Sequence, residues 1–135
     1  MALKGSVEGG SRPSAQRSVI VVDDDQAVCH SLRFALEIEG YRVQLYYNAD
    51  AVLAARGAAA SEACLVVDYH LPGMNGLDLV QQLRRRTPGM NAILITTGPS
   101  ERVRTAAEDA GVVIVEKPLL GNALAEAIRH SFCAS

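Results

Sequence analysis

The clearest structural signal in the chain is Leu65-Val66-Val67-Asp68-Tyr69-His70-Leu71-Pro72-Gly73, an apolar run that ends in one carboxylate and then breaks at a Pro-Gly turn. A short run of β-branched and aliphatic residues bounded by a turn predicts a buried strand of a parallel sheet. The carboxyl ends of such strands open onto the ligand crevice of an α/β sheet. We therefore expect Asp68 to lie at the rim of a crevice rather than in the core.

Three other apolar runs also end in polar side chains. The run 19–22 precedes Asp23, Asp24 and Asp25, the run 92–95 precedes Thr96, and the run 112–115 precedes Glu116 and Lys117. A parallel sheet brings the carboxyl ends of its strands to one edge, so groups that are distant in sequence can meet there. We expect carboxylates, a hydroxyl and an ammonium group to converge on one small volume.

Segments with helical character separate these runs. Apolar residues recur at helical spacing over 26–39, 76–86, 100–110 and 120–131, and an alanine-rich segment at 49–58 favours a further helix. A more polar, alternating run at 41–47 predicts a second strand near a sheet edge. The sequence therefore predicts an α/β fold, a doubly wound (βα)5 flavodoxin-like parallel sheet with strand order 2-1-3-4-5.

Composition limits the classes of function. The chain has 135 residues, of which 49% are hydrophobic and 21% charged, with a net charge of −2, as expected for one globular domain. There is no basic surface for nucleic acid and no run approaching the ~18 apolar residues of a membrane span. Cys29, Cys64 and Cys133 form no CxxC pattern, so we expect neither a disulfide framework nor a zinc site, and a reducing, cytoplasmic location.

The domain limits follow from the same composition. Residues 1–17 are rich in Gly and Ser and contain few large apolar residues, which predicts a disordered N-terminal tail without the apolar core of a signal peptide. Residues 18–131 form the predicted domain, and residues 132–135 are its C-terminal end.

A group of carboxylates at one strand edge needs a counter-charge. Asp23, Asp24 and Asp68 would each raise the pKa of the others unless a cation holds them together. Mg²⁺ prefers oxygen ligands and is typically bound by one or two carboxylates together with phosphate. We therefore expect these three residues to bind Mg²⁺, and we assign Asp25 to capping the first helix, which it directly precedes.

Together these residues make the chain similar to the receiver domains of two-component response regulators, over residues 18–131. The resemblance implies that Asp68 is the phosphoacceptor, that Thr96 is the switch hydroxyl, and that Lys117 neutralises phosphoryl charge. It also implies that the backbone carbonyl of His70 is a Mg²⁺ ligand, while the His70 side chain tunes phosphoryl lifetime. A carboxylate can form an aspartyl phosphate when the protein supplies alignment and charge neutralisation.

The resemblance also implies the partners. A sensor histidine kinase or a histidine phosphotransfer protein would supply the phosphoryl group, in a two-component system or a phosphorelay. Output would come from a binding partner or from a missing C-terminal output domain. Such a domain is a signalling module rather than an enzyme, because it catalyses only its own phosphorylation and dephosphorylation.

One residue departs from the pattern of the receiver family. Ile114 stands three residues before Lys117, where the family usually has an aromatic switch partner, so we expect a weak response to phosphorylation along residues 102–110.

The alternative function is a haloacid-dehalogenase-type phosphatase with Asp23 as nucleophile. That family needs a further acidic pair after the lysine, whereas only Glu126 is present, and the reading leaves Asp68 without a role.

Overall fold

A five-stranded parallel sheet forms the centre of the protein. The computed structural model describes residues 17–55, 63–119 and 121–133. The strands are β1 (Ser18–Val22), β2 (Arg42–Tyr46), β3 (Ala63–Asp68), β4 (Asn91–Thr96) and β5 (Val113–Glu116). They lie in the order β2-β1-β3-β4-β5, which confirms the predicted fold and strand order.

Five helices connect the strands. Their bounds are α1 (Gln26–Ile38), α2 (Ala49–Ala54), α3 (Gly76–Arg86), α4 (Glu101–Asp109) and α5 (Ala123–Cys133). The Asp25 carboxylate accepts hydrogen bonds from the N–H groups of Ala27 and Val28, so the predicted capping role is confirmed. Asn48, Asn75 and Ser100 cap the next three helices in the same way, each satisfying an N–H group that lacks a partner within the helix.

The sheet separates two hydrophobic cores. Cys29 and Leu36 of α1 pack with Leu124 and Ile128 of α5 on one face. On the other face, α2, α3 and α4 contribute Val52, Leu79, Val80, Leu83 and Ala107. Every residue of β3 is buried, as expected for a central strand, whereas β2 has exposed residues and lies at the sheet edge, as predicted.

The predicted bounds of two helices are wrong. The second helix ends at Ala54 rather than at residue 58, because Ala55 is already extended, and residues 56–62 lie outside the described part of the chain. The last helix begins at Ala123 rather than at residue 120. It continues through Phe132 and Cys133, two residues beyond the predicted helix end at residue 131.

Packing at the two ends of the domain explains the longer last helix. The ring of Phe132 stacks on Tyr41 with 5.7 Å between ring centroids, and the Arg17 guanidinium lies 5.0 Å from the centroid of Phe132. The Arg17 carbonyl also accepts a hydrogen bond of 2.9 Å from the N–H of Arg42. Arg17 therefore packs against β2 and α5. The other residues of the predicted tail, 1–16, lie outside the described part.

Arginines at the end of α3 have structural partners. The Arg84 side chain donates to the carbonyls of Met90 and Ala110, and the Arg86 side chain donates to the carbonyl of Leu53 at 2.6 Å. These bonds join α3 to the start of β4 and to the ends of α4 and α2.

Among the residues described, no helix is both long enough and apolar enough to cross a membrane.

Candidate functional site

The carboxyl ends of three strands meet at one edge of the sheet and bring charged side chains together. Asp23 follows β1, Asp68 ends β3 and Lys117 follows β5. One carboxylate oxygen from each of Asp23, Asp24 and Asp68 lies within 4.8 Å of the others. The Lys117 ammonium lies 3.5 Å from Asp68 Oδ2 and 3.7 Å from Asp23 Oδ2. The predicted convergence of acids and ammonium is therefore present.

The three acids differ in their exposure. Asp23 is 1% exposed and Asp68 is 5% exposed, whereas Asp24 is open to solvent. The Asp25 N–H donates to Asp23 Oδ1 at 2.9 Å, and the His70 N–H donates to Asp68 Oδ1 at 3.2 Å. Each buried carboxylate thus has one oxygen held by the backbone and the other directed to the Lys117 ammonium.

Asp23 is the most constrained of the acids. Burial raises the pKa of its carboxyl group, the charges of Asp68 and Asp24 raise it further, and the Asp25 N–H and Lys117 only partly oppose this. Its Oδ2 atom is buried and accepts no hydrogen bond from any described residue. This buried oxygen lies next to two further carboxylates. Together the three carboxylates are ligands that suit a hard divalent cation.

Thr96 lies at the same edge. It ends β4, and β4 pairs with β3 so that Asp68 is opposite Ile95, the residue before Thr96. The Thr96 side chain is buried, and its carbonyl accepts a hydrogen bond of 2.8 Å from the Lys117 N–H. Thr96 and Lys117 are therefore joined through the backbone. His70 is exposed just beyond Asp68, and its carbonyl as a metal ligand stays a prediction.

Cys29 supports the site in a way that the sequence did not reveal. Its thiol donates to the backbone carbonyl of Asp23, with 3.2 Å between the atoms. Burial, followed by the negative charge of Asp23, raises the pKa of this thiol to about 11. Cys29 therefore stays protonated at neutral pH and holds the backbone from which the acidic pair projects.

Gly76 is a second position that sequence reasoning missed. A Cβ atom added there would lie 2.6 Å from the carbonyl oxygen of Asp68 and 2.9 Å from Leu94 Cδ1. The Gly76 N–H donates to the carbonyl of Tyr69 at 2.8 Å. The first residue of α3 thus packs directly against the backbone of the predicted phosphoacceptor. An Asn-Gly pair before a helical segment signals a cap, but not this close approach.

Replacing Gly76 with alanine should destabilise the protein by roughly 2–3 kcal/mol, since the added methyl group must displace backbone as well as a leucine side chain. Chemical denaturation followed by circular dichroism measures the change. Gln82→Ala is the control, because Gln82 is exposed on the same helix and alanine suits a helix. Equal stability of Gly76→Ala and Gln82→Ala would contradict the close packing.

Comparison with known proteins identifies the family. The response regulator receiver domain family matches residues 19–129. The transcriptional regulatory protein FixJ of Azorhizobium caulinodans is 36% identical over 114 residues, which make up 84% of this chain and 54% of that protein. The response regulator MprA of Mycobacterium ulcerans is 36% identical over 93 residues, which make up 69% of this chain and 40% of that protein.

A solved structure gives the same answer. The crystal structure of a CheY-like response regulator receiver domain protein from Methanospirillum hungatei JF-1 has a TM-score of 0.77 and 29% sequence identity, covering 87% of this chain and 94% of that one. The chain belongs to the response regulator receiver domain family of two-component signalling. It spans 54% of the FixJ protein and 40% of the MprA protein.

The phosphatase alternative finds no support in these comparisons. The geometry also disfavours it, because Glu126, the acid that follows Lys117, lies exposed on α5 and forms an ion pair of 2.8 Å with Arg129. Lys117 instead contacts Asp68, which that alternative leaves without a role.

Proposed function

We propose that this protein is the phosphoacceptor of a two-component system or phosphorelay, that it is phosphorylated on Asp68 with Mg²⁺, and that phosphorylation switches partner binding. One observation carries the proposal. The carboxylate of Asp68 lies at the end of a fully buried strand, with the Lys117 ammonium 3.5 Å away and the Asp23 carboxylate beside the same ammonium. This arrangement combines a nucleophile with positive charge and a cation-binding acid.

The site suits Mg²⁺ on its own geometry. Asp23, Asp24 and Asp68 would supply the carboxylate oxygens, and the His70 carbonyl would be a further ligand. Receiver domains typically bind Mg²⁺ at such an acidic pocket. When bound, Mg²⁺ would neutralise part of the negative charge of the carboxylates and of an incoming phosphoryl group.

The residues of this chain define the transfer step. A carboxylate oxygen of Asp68 forms a bond to phosphorus while the bond from phosphorus to the donor's imidazole nitrogen breaks, and that nitrogen keeps the electron pair. The His70 N–H fixes the orientation of the Asp68 carboxylate before the reaction. Lys117 can then form an ion pair with a phosphoryl oxygen, and Thr96 can donate its hydroxyl hydrogen to another.

The phosphodonor would be a sensor histidine kinase or a histidine phosphotransfer protein, and it must contact a surface that adjoins the site. A cavity of about 550 Å³ between α1 and α5 meets this requirement, since Lys117 lines it together with apolar side chains that include Leu32, Leu36 and Leu124. Its position beside Lys117, whose ammonium contacts Asp68, supports contact with a donor helix on this face. The relatives FixJ and MprA are longer than this chain, so we propose a linked output domain or a separate output partner.

Labelling with a small phosphodonor tests the proposal. Incubation with acetyl phosphate and Mg²⁺ should add one phosphoryl group per chain, detected by mass spectrometry of the intact protein. An acyl phosphate should be stable in acid and released by hydroxylamine, and a chelator should prevent its formation. No labelling with Mg²⁺ present, or a label that resists hydroxylamine, would overturn the proposed function.

A further inference from the structure

An ion pair joins α4 to the strand that leads into the site. Arg104 Nη2, in the second turn of α4, lies 2.7 Å from Glu116 Oε2 at the end of β5, and the two side chains are 47% and 48% exposed. Glu116 directly precedes Lys117 and is the register partner of Thr96. The pair therefore connects α4 to the segment of the chain that carries the site's ammonium group.

A second possible link between β5 and α4 is less suited to switching. Ile114 is half-buried and packs against the core formed by α2, α3 and α4. It is already directed inward in this structure and has no ring that could exchange between inner and outer positions. Of these two links between β5 and α4, the one between charged groups is therefore the Arg104–Glu116 ion pair.

We propose that the Arg104–Glu116 ion pair is a restraint that holds α4 in the arrangement seen here and that phosphorylation has to overcome. The inference rests on the proposed phosphorylation of Asp68. A phosphoryl group would attract the Lys117 ammonium and the Thr96 hydroxyl, and the hydrogen bond from the Lys117 N–H to the Thr96 carbonyl couples their movement. Glu116 and the loop that leads to α4 flank these two residues and move with them.

The geometry of the pair makes it sensitive to such movement. It is a single contact between the outermost atoms of two side chains, so a displacement of about 1 Å at either end takes it beyond hydrogen-bond distance. A contact made in only one of two arrangements favours that arrangement by its own free energy. For exposed ion pairs this corresponds to a factor of about 1.4 to 5 in the equilibrium between arrangements. Salt should weaken it, because both side chains are half in solvent.

NMR spectra of amide groups test the restraint in the whole chain. Arg104→Gln removes the ion pair and Arg102→Gln is the matched control, since Arg102 is exposed on the same helix. Beryllium fluoride with Mg²⁺ serves as the phosphoryl mimic. We expect the wild-type protein to respond strongly at Asp68, Thr96 and Lys117, and weakly along residues 101–110.

In Arg104→Gln, the amide signals of residues 101–110 should move without any mimic, in the same direction as the mimic moves them in the wild type. Their response to the mimic should then increase. Glu116→Gln should reproduce this result, the double variant Arg104→Glu with Glu116→Arg should reverse it, and Arg102→Gln should match the wild type.

The failure of the inference is distinguishable from that of the proposed function. If the mimic shifts Asp68, Thr96 and Lys117 but the α4 response in Arg104→Gln and Glu116→Gln equals or falls below that of the wild type, the restraint is refuted and the proposed function stands. If the mimic produces no shift at those three residues in the wild type, both are refuted.

Discussion

The Asp68→Asn variant should take up no phosphoryl group from acetyl phosphate under conditions that label the wild-type chain fully. Asparagine has nearly the same shape and can still accept the hydrogen bond from the His70 N–H, so the fold should persist. Its amide lacks the anionic oxygen that must form the bond to phosphorus. The measurement is the mass of the intact protein, with circular dichroism as the check on folding.

The matched control for this variant is Asp25→Asn. Asp25 belongs to the same run of acids but caps α1, and asparagine is an equally good cap. We expect Asp25→Asn to be labelled like the wild type. If Asp68→Asn were still labelled while Asp23→Asn was not, Asp23 would be the nucleophile and the phosphatase alternative would be favoured.

The Asp23→Asn variant should be more stable than the wild type without metal and should lose the stabilisation that Mg²⁺ gives. The pKa of Asp23 is raised even with Lys117 nearby, so its surroundings as a whole disfavour the charged form. Removing the charge should increase the free energy of unfolding at pH 7 by on the order of 1 kcal/mol. Thermal unfolding with a chelator and with Mg²⁺ measures both effects, since a ligand that binds only the folded state raises Tm.

The gain in the free energy of unfolding from Asp23→Asn should depend on pH in a defined direction. A carboxyl group whose pKa is higher in the folded state than in the unfolded state weakens folding once the pH has risen through the folded pKa, and this cost disappears on acidification. The advantage of Asp23→Asn should therefore be greatest near neutral pH and shrink as the pH falls through the raised pKa. An advantage that grows on acidification would contradict the burial argument.

Asp24→Asn is the control that distinguishes the cost of burying the Asp23 carboxylate from the cost of repulsion between the acids. Asp24 belongs to the same acidic cluster but is exposed, so water already solvates its charge. Its replacement should weaken the Mg²⁺ effect and change the stability of the metal-free protein much less than Asp23→Asn does. A larger gain from Asp24→Asn would indicate that repulsion between the acids, rather than burial, determines the cost.

The sequence could predict the strands and the edge at which their polar ends meet. Each strand is a continuous or alternating apolar run, and the parallel arrangement follows from the helical segments between them, so the positions of Asp23, Asp68 and Lys117 at one edge required only local pattern and topology. The end of α5 could not be predicted in this way. It depends on the stacking of Phe132 on Tyr41, a contact between residues far apart in sequence.

The supporting contacts of the site lay beyond sequence reasoning for the same reason. Nothing in the local pattern distinguishes Cys29 from any other small core residue, yet its thiol holds the Asp23 carbonyl. Gly76 is close to the Asp68 backbone only because α3 turns back against β3. The Arg104–Glu116 pair joins residues twelve positions apart that become neighbours only when α4 packs beside β5.

The stacked group of Arg17, Tyr41 and Phe132 has a practical consequence for attaching probes. Because helices run antiparallel to the strands of the sheet, this group and the adjacent Cys133 lie at the edge opposite Asp68. Cys133 is exposed, whereas Cys29 and Cys64 are buried and burial raises the pKa of both thiols to about 11. A maleimide dye should therefore modify the native protein at Cys133 alone, without any substitution. A fluorophore placed there would follow association with a phosphodonor or an output partner while leaving the acidic edge uncovered.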